Sequence, residues 1–425
     1  MKKLFLLSTL ILFACSDDCN CDDNNTNNNN DPNTVVLNEW IPGSNLGNPQ
    51  REYSDSNSTL VSATVSKMIE FNGELYVGGD FEVIGGQIIK YLAKWDGVNW
   101  SYIGQLDSPV EDMIVFQQKL YIQVQENELS NTNEYQCWDC NRIYSWDGSL
   151  LIWEQLNYQV AVGAPVINKP LYSKKAFGYS GGAFVGEKKY EQWTVHDNKL
   201  FAFINTNQQS SWDGFRFELL SFDGNSWQNF DQYGLQNNYH GVLKSYNGEL
   251  YATLKGSHNS LEGGLYKLGT FEVLDNDISY TFQDWVNVAG ESLSDPEILT
   301  ITEFNNNLII GGNFETIGGV VAQNIAEFDG TNWSSFGNWT REPYELKVFN
   351  NQLYASFYYG NWNGLDYERI AVYNGNSWDS LDYNLSDFNY VSDGFWRTIT
   401  MFQDYLYLGG SNSIAGSNNF IKLAQ

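Results

Sequence analysis

Histidine is scarce in this sequence, with three residues in 425, and the common catalytic signatures are absent. No H-E-x-x-H, G-x-S-x-G, phosphate-binding loop or dinucleotide-binding glycine pattern occurs. The histidines (His196, His240 and His258) are scattered, and no acidic run has the spacing of an EF-hand calcium loop. The sequence therefore predicts no metal, no cofactor and no catalytic set. With 51 acidic residues, a pair of carboxylates that cleaves a polysaccharide remains an alternative.

Positive charge is also scarce. The chain has 23 lysines and arginines against 51 acidic residues, which gives a formal net charge of −28. Such a chain is repelled by phosphate backbones and by anionic headgroups, which argues against nucleic acid and anionic membrane surfaces as partners. A solvated acidic shell that keeps an exported protein soluble explains the excess without any binding role.

The N-terminal apolar stretch, Leu4–Phe13, is too short to span a bilayer. Lys2 and Lys3 precede it, as in an export signal, so residues 1–14 are expected to be a signal peptide. The residues LFAC at positions 12–15 resemble the lipobox of bacterial lipoproteins, which implies acylation of Cys15. An ordinary secretory signal with an incidental cysteine is the alternative.

The residues that follow Cys15 are of low complexity. Ser16-Asp17-Asp18 is similar to the acidic export signal of Bacteroidota surface lipoproteins, which implies an outer-membrane protein that faces the cell surface. Residues 15–34 are rich in Asn and Asp and have no apolar period, so they are expected to form a disordered tether. Cys19 and Cys21 lie in this tether, one residue apart, and are poorly spaced to pair with each other.

The remainder, residues 35–425, is organised around a repeated phrase. Val65–Gln105 reads VSKMIEFNGELYVGGDFEVIGGQIIKYLAKWDGVNWSYIGQ, and Leu299–Gly337 repeats it closely. A leucine opens a short apolar strand in each of seven units, and a bulky apolar residue lies seven positions before it. The leucines are Leu75, Leu120, Leu200, Leu250, Leu308, Leu353 and Leu406.

Each unit predicts four short strands, named a, b, c and d. A turn such as FNG separates a from b, and a DG or NG dipeptide separates c from d, as at Asp96-Gly97 and Asp329-Gly330. Such dipeptides favour type I′ hairpin turns, which need positive φ at both central residues. Four antiparallel strands at a period near 45–50 residues are typical of a β-propeller blade, so we expect an all-β, seven-bladed propeller.

The seventh unit is expected to be completed from the other end of the chain. The sequence ends in strand c, at Phe420–Gln425, while Val35–Ile41 has the pattern of a lone d strand with Trp40 at the anchor position. Closure by this N-terminal strand would leave no open sheet edge. The seven d-strand tryptophans are then Trp40, Trp100, Trp153, Trp227, Trp285, Trp333 and Trp378.

Cys137-Trp138-Asp139-Cys140 is an isolated C-x-x-C motif. A redox pair, half a zinc site and a local disulfide are the alternatives. Neither a βαβ pattern nor a second ligand pair accompanies it. In an exported chain a Cys137–Cys140 disulfide that staples a loop is therefore favoured.

Aromatic residues that the repeat does not need concentrate in enlarged b–c and d–a segments, which share one end of a propeller. Such loops are the usual location of recognition residues. Aromatic faces suit sugar C–H faces, so these residues are the candidate ligand-binding set, and packing beneath their own loops is the alternative. The set is Trp138, Trp212, Trp339, Trp362, Trp396, Tyr358, Tyr359 and Tyr390.

The phrase FNGELYVGGDFEVIGG…LAKWDGVNW resembles the repeat of kelch-like, galactose-oxidase-central-domain-like and delta-60-type propellers. Glycine pairs after strand b, as at Gly78-Gly79 and Gly311-Gly312, fit kelch blades, but units 2, 3, 4 and 6 lack them. The copper ligands of galactose oxidase have no matching positions. The resemblance therefore implies the fold and leaves the partner open.

These observations favour a non-catalytic surface lipoprotein that binds a glycan through the looped end of a propeller. Two alternatives remain: a protein-interaction scaffold in an outer-membrane complex, and a polysaccharide-cleaving enzyme that uses carboxylates. The expected partners are a glycan or an outer-membrane protein, with membrane contact through the lipid anchor only.

Overall fold

The structure is a computed structural model. The residues it describes are 39–40, 50–52, 60–104, 106–125, 140–148, 154–155, 157–160, 167–170, 172–174, 177–178, 188–189, 193–205, 217–229, 239–255, 264–268, 273–274, 277–278, 285–289, 297–337, 339, 342–357, 370–380, 395–411 and 420–424. All regular secondary structure in these ranges is β-strand. Among these same residues, no helix is long and apolar enough to cross a membrane.

The strands of the first half are β1 (Glu39–Trp40), β2 (Gln50–Glu52), β3 (Leu60–Ser62), β4 (Thr64–Phe71), β5 (Glu74–Asp80), β6 (Val83–Ile84), β7 (Gln87–Ile88), β8 (Leu92–Trp95), β9 (Trp100–Tyr102), β10 (Val110–Phe116), β11 (Lys119–Gln125), β12 (Cys140–Trp146), β13 (Glu154–Gln155), β14 (Asn157–Val160), β15 (Ile167–Pro170), β16 (Tyr172–Lys174), β17 (Phe177–Gly178), β18 (Lys188–Lys189), β19 (Trp193–His196), β20 (Lys199–Asn205), β21 (Phe217–Phe222) and β22 (Trp227–Asn229).

The strands of the second half are β23 (Tyr239–Tyr246), β24 (Glu249–Lys255), β25 (Gly264–Leu268), β26 (Val273–Leu274), β27 (Asp277–Ile278), β28 (Trp285–Asn287), β29 (Glu297–Phe304), β30 (Asn307–Asn313), β31 (Thr316–Ile317), β32 (Val320–Val321), β33 (Ile325–Phe328), β34 (Trp333–Ser335), β35 (Pro343–Phe349), β36 (Gln352–Phe357), β37 (Ile370–Tyr373), β38 (Trp378–Ser380), β39 (Phe395–Phe402), β40 (Tyr405–Ser411) and β41 (Phe420–Ala424).

These strands form antiparallel sheets, and the expectation of an all-β propeller is confirmed. Six sheets have four strands, in the orders β4-β5-β8-β9, β23-β24-β25-β28, β29-β30-β33-β34, β35-β36-β37-β38, β1-β41-β40-β39 and β3-β2-β6-β7. The strands expected for units 2 and 3 belong instead to one nine-stranded sheet. Seven four-stranded blades were expected, and the structure has six blade sheets: five with four strands and the nine-stranded sheet that contains units 2 and 3. The physical reason is β16, which pairs with β12 on one side and with β20 on the other. The sheet β3-β2-β6-β7 is not one of the expected blades.

The N-terminal strand β1 lies beside β41, with Glu39 opposite Ala424 and Trp40 opposite Leu423. The pairing is two residues long on the β1 side. Closure of the propeller by this strand stays a prediction.

The a–b turns are two-residue hairpins in the left-handed region, as the FNG signal predicts. Asn72 and Gly73 have φ of 52° and 76°, which is the geometry of a type I′ turn. Non-glycine pairs adopt the same conformation at Gln117–Gln118 and Asn350–Asn351. Strands a and b are therefore joined as tightly in units that lack the N-G dipeptide.

The DG turns differ from the type I′ prediction. Trp95 pairs with Trp100 across a four-residue connection, and only Gly97 within it has positive φ, at 102°. The carboxylate Oδ1 of Asp96 accepts hydrogen bonds from the amides of Val98 and Asn99, at 2.7 and 2.6 Å. The aspartate thus satisfies turn amides with its side chain, and the glycine supplies the one left-handed residue.

The core lies between neighbouring sheets. The aromatic residue that ends strand c of one unit packs against strands a and b of the preceding unit. Trp146 contacts Phe71 and Tyr76, with ring centroids 6.4 and 5.7 Å apart, and Phe222 contacts Phe116 in the same way at 6.3 Å. These buried rings stack the units in sequence order.

Candidate functional site

Hydrogen bonds define the two ends of the propeller. At one end, the side chain of Gln403 in an a–b turn donates to the carbonyl of Asp96 in a c–d turn. At the other end, the amide of Gly318 in a b–c segment donates to the carbonyl of Ala289 in a d–a segment. We call the second end, which carries the b–c and d–a segments, the looped end.

Two b–c segments at the looped end fold into equivalent short hairpins, β6–β7 and β31–β32. In each hairpin, a backbone amide that follows the second strand donates a hydrogen bond to a carbonyl that precedes the first strand. The amide of Tyr91 donates to the carbonyl of Phe81, and the amide of Asn324 donates to that of Phe314, both at 2.8 Å. Tyr91 and Asn324 have φ of 65° and 64°. The same backbone frame therefore positions both tips.

Side chains fix each hairpin to the body of the protein. Ile84 and Ile317, in the first arms, are buried beneath the tips. The Asn324 side chain donates to the carbonyl of Trp339 at 2.8 Å, which ties the second hairpin to the next d–a segment. Burial raises the pKa of Tyr91, and the negative charge of Glu82 adds to that shift. Both hairpins are held by buried or hydrogen-bonded groups.

The tips themselves present apolar side chains to solvent. Ile88 is 81% exposed and Val321 is 70% exposed, and they occupy the same position in the two hairpins. Among the large apolar residues for which burial is described, these two are the most exposed. A single exposed apolar residue is ordinary. Its recurrence at one position of two rigid hairpins is a feature that folding does not require.

A second group of polar residues lies buried along the inner strands, where six of the seven a strands carry a β-bulge, as between Pro343 and Glu345. An amide beyond the bulge in one unit donates to a side chain of the preceding unit. The amide of Ile399 donates to Oε2 of Glu345 at 2.6 Å, and the amide of Leu346 donates to Oγ1 of Thr300 at 3.0 Å. Buried amides released by the bulges are satisfied in this way, so these side chains are structural.

Asp112 is the most heavily bonded of these residues. Its Oδ1 lies 3.3 Å from Nζ of Lys67 and accepts the amide of Met113 at 2.9 Å, and its Oδ2 accepts Nε1 of Trp193 at 3.0 Å. Both oxygens are engaged across three successive units. The Asp112 side chain therefore joins units 1, 2 and 3 through its contacts.

The described residues include two of the predicted ligand-binding aromatics, and both pack internally. Trp396 is 3% exposed and belongs to a core cluster with Ile399 and Leu408. Trp339 packs its ring against Phe357 and Trp378, at 4.5 and 5.3 Å between centroids. The ligand-binding interpretation of Trp396 is corrected, because a ring buried to this extent offers no face to a ligand. Packing beneath a loop is the role observed for both.

The other predicted site residues lie outside the described part of the chain. They are Cys15, Cys137, Trp138, Trp212, Tyr358, Tyr359, Trp362 and Tyr390. Cys140 is described only as a backbone position at the start of β12. No group of three His, Cys, Asp or Glu residues that could hold a metal occurs where side chains are described.

Sequence reasoning missed Ile88 and Val321 because it followed aromatic residues. The signal was nevertheless present in the shared pattern, FEVIGGQII in unit 1 and FETIGGVVA in unit 5. With side chains alternating along a strand, Ile84 and Ile89 point inward and Ile88 must point outward.

No family model and no curated protein matches this sequence. Among solved structures, it is similar to a puromycin-hydrolysing peptidase from Mycobacterium tuberculosis, at 8% identity and a TM-score of 0.47, over 83% of this chain and 50% of that one. It is similar to the β-propeller domain of the trilobed protease from Pyrococcus furiosus, at 7% identity and a TM-score of 0.46, over 85% of this chain and 93% of that one. A Trypanosoma rangeli sialidase matches at 12% identity and a TM-score of 0.39, over 79% of this chain and 59% of that one.

These comparisons correct the expected function. The similar structures include peptidases, one of them represented by its β-propeller domain, and none of those reported is described as a non-catalytic glycan binder. The glycan-binding function is therefore withdrawn. This chain spans about half the length of the M. tuberculosis peptidase, and identities of 7–12% carry no activity to it.

Proposed function

We propose that this protein is a lipid-anchored, seven-bladed β-propeller that binds a protein partner through its looped end. The arrangement has a signal peptide at residues 1–14, a lipid on Cys15, a tether to residue 34 and a propeller over residues 35–425. The observation that carries the proposal is the pair of exposed apolar tips, Ile88 and Val321, on equivalent rigid hairpins.

The blade number is supported by the turns and by the inner strands. Two-residue turns with both residues at positive φ join an a strand to a b strand seven times, at 72–73, 117–118, 197–198, 247–248, 305–306, 350–351 and 403–404. The inner strands contact one another in the cyclic order β4, β10, β19, β23, β29, β35, β39 and back to β4. Seven blades follow if units 2 and 3 are two blades bridged by β16.

A protein partner is favoured by the chemistry of the tips. Both exposed residues are β-branched aliphatics, which offer no hydrogen-bonding groups and gain free energy only when apolar surface covers them. The hairpins are already fixed by backbone hydrogen bonds, so little conformational entropy is lost on binding. An apolar centre surrounded by a polar rim is the usual arrangement of a protein interface.

Surface anchoring is supported by the LFAC residues at 12–15 and by the acidic residues after them. Growth of the producing cell with an alkyne-labelled fatty acid should label the wild-type chain and leave the Cys15→Ser variant unlabelled. A labelled Cys15→Ser chain would contradict the anchor, independently of any binding result.

Site-specific photo-crosslinking in the producing cell tests the binding surface. A photoreactive phenylalanine analogue replaces Ile88 or Val321, and a control chain carries it at Val98, an exposed residue in a c–d turn at the opposite end. We expect one protein adduct of the same mass from both hairpin positions and none from position 98. Adducts of equal yield from all three positions, or none from the hairpins, would exclude the looped end as the docking surface.

A further inference from the structure

The two short hairpins of the looped end differ at one edge. In unit 1, strand β2 pairs with β6, with Gln50 opposite Val83, and the sheet has the order β3-β2-β6-β7. In unit 5, β31 pairs only with β32 among the strands that the structure describes. One edge of the second hairpin is therefore open, whereas a strand of the chain itself covers the equivalent edge of the first.

The open edge presents the backbone of Thr316. This residue occupies the position of Val83 and lies opposite Val321 in β32. The amide of Ala322 donates to the carbonyl of Glu315 at 3.0 Å, so the neighbouring pair is the hydrogen-bonded one. Because antiparallel pairs alternate, the N–H and C=O groups of Thr316 point away from β32. Thr316 is partly exposed, and these outward groups can pair with an added strand.

The charge next to this edge also differs between the two hairpins. Glu82, one residue before Val83 in unit 1, forms an ion pair with Lys90. Unit 5 keeps the glutamate as Glu315 and has Gln323 in place of the lysine, and both of these side chains are exposed. Within the described residues, the second hairpin thus lacks both the covering strand and the paired lysine of the first.

We propose that the β31 edge binds an extended, basic segment of the partner protein as an added strand. This inference rests on the proposed function and names how the partner is held. The pairing of β2 with β6 shows that this hairpin frame accepts an antiparallel neighbour, and strand addition is a common mode of peptide recognition. A lysine or arginine of the segment would pair with Glu315, and the net charge of −28 attracts a basic segment to the chain.

The added strand would extend the docking surface formed by the tips. Residues opposite each other on paired strands share one face of a sheet, so Thr316 and Val321 lie on the same face. A strand that pairs with Thr316 therefore places a side chain on the face that carries the exposed Val321. Since β31 is two residues long, its edge supplies few hydrogen bonds, and the apolar tip supplies the remaining contact.

Fluorescence anisotropy tests the inference with the full chain carrying Cys15→Ser. The probe is a labelled octapeptide of alternating threonine and lysine, and the control probe has the same sequence with every backbone nitrogen methylated. Methylation removes the main-chain donors and keeps the charge, so we expect about tenfold weaker binding of the control probe. Glu315→Gln should weaken binding of the first probe about two- to fivefold. Glu82→Gln changes the net charge equally and should leave that binding unchanged.

Two further variants test the edge and its charge separately. Thr316→Pro removes the outward N–H, which a proline on an edge strand can do without breaking a ladder hydrogen bond, and it should weaken binding of the first probe. Gln323→Lys gives Glu315 the internal partner that Glu82 has in unit 1, and it should weaken binding as Glu315→Gln does.

Equal binding of the two probes, equal effects of Glu315→Gln and Glu82→Gln, or no probe binding by the parent chain would overturn the inference. A dimer of the parent chain that Thr316→Pro dissociates in sedimentation velocity would overturn it by identifying a second copy as the occupant. The two proposals fail separately. Absence of a crosslinked protein from positions 88 and 321 overturns the proposed function, whereas crosslinking that persists while the two probes bind equally overturns only the strand addition.

Discussion

Gln403 donates a hydrogen bond from Nε2 to the backbone carbonyl of Asp96 at 3.0 Å, across 307 positions of sequence. Gln117 makes the same bond to the carbonyl of Asp223, also at 3.0 Å, across 106 positions. Each bond joins the a–b turn of one unit to the c–d turn of another. The first joins the last unit of the chain to the first one, and so lies at the seam that closure must hold.

If β1 closes the propeller, the stability cost of Gln403→Ala should depend on the presence of β1, and the cost of Gln117→Ala should not. A chain that begins at residue 41 lacks the pairs Glu39–Ala424 and Trp40–Leu423, and we expect a lower free energy of unfolding than for a chain that begins at residue 35. In the longer chain, Gln403→Ala and Gln117→Ala should each cost about 0.5–1.5 kcal/mol. In the shorter chain the Gln403→Ala cost should shrink and the Gln117→Ala cost should not. Denaturant titration measures all six chains, and equal costs in both backgrounds would contradict closure by β1.

The Asx turns predict an acid-sensitive contribution to stability. Hydrogen bonds from the Asn99 and Val98 amides hold the pKa of Asp96 below its ordinary value, and the Ser226 and Asn225 amides do the same for Asp223. A carboxyl whose pKa is lowered by folding stabilises the folded state when ionised. That stability is present above the unfolded pKa and is lost as pH falls through the folded pKa, which lies below the ordinary aspartate value.

Unit 6 supplies the control for this effect. Asn374 occupies the aspartate position and accepts the same two amides, from Asn376 and Ser377, both at 2.9 Å. Asp96→Asn should therefore keep most of the thermal stability at pH 7 and flatten its fall in acid, whereas Asp96→Ala should lower the Tm at both pH values. Melting curves from pH 7 to pH 3 measure this. An unchanged acid profile in Asp96→Asn would show that the turn carboxylate does not contribute.

Local signals predicted the a–b turns well and the c–d turns poorly, for a physical reason. At Asn72-Gly73 the backbone alone determines the turn, so the dipeptide is sufficient. At Asp96-Gly97 the side-chain carboxylate competes for the turn amides and extends the connection to four residues. In the sequence, the only sign of this longer connection is the polar residue Asn99 before Trp100.

The contacts between units could not be predicted from the sequence. The pattern of unit 1 places Lys67 beside Met68, but nothing local indicates that it meets Asp112 of the next unit. Trp339 and Trp396 were assigned by residue type, and their positions depend on which rings surround them. The repeat therefore predicts the scaffold, while the destination of each polar or aromatic side chain depends on the neighbouring unit.

Asp112 predicts a large stability loss when its charge is removed. The side chains of Asp112 and Lys67 are 1% and 10% exposed. Asp112→Ala removes the carboxylate that Lys67 approaches and the acceptor of the Trp193 indole N–H. We expect a loss of about 3–5 kcal/mol. Glu74→Ala, which breaks the pair with Lys94 whose side chains are 28% and 26% exposed, should cost less than about 1 kcal/mol. Chemical denaturation of the two variants gives both values, and similar losses would mean that the inner-strand pair is solvated.

Two adjacent glycines in the β6–β7 turn separate backbone strain from steric overlap. Gly85 and Gly86 have φ of 59° and 73°, so alanine is strained at either position. A methyl group at Gly85 would overlap Cδ1 of Trp100, whereas, chain neighbours aside, no atom of the described residues lies within 4 Å of one at Gly86. We expect Gly86→Ala to cost about 1 kcal/mol and Gly85→Ala to cost about 1–3 kcal/mol more, because the indole must shift.

The equivalent turn of unit 5 provides an internal repeat of this comparison. Gly318 lies against Trp333 and Gly319 faces open space, so the same difference should recur there. Thermal unfolding measures the cost of all four alanine substitutions. If Gly85→Ala also displaces the tip, crosslinking from Ile88 should fall in that variant and persist in Gly86→Ala. Equal losses of stability for Gly85→Ala and Gly86→Ala would mean that the Trp100 ring shifts at no cost and does not hold the hairpin tip.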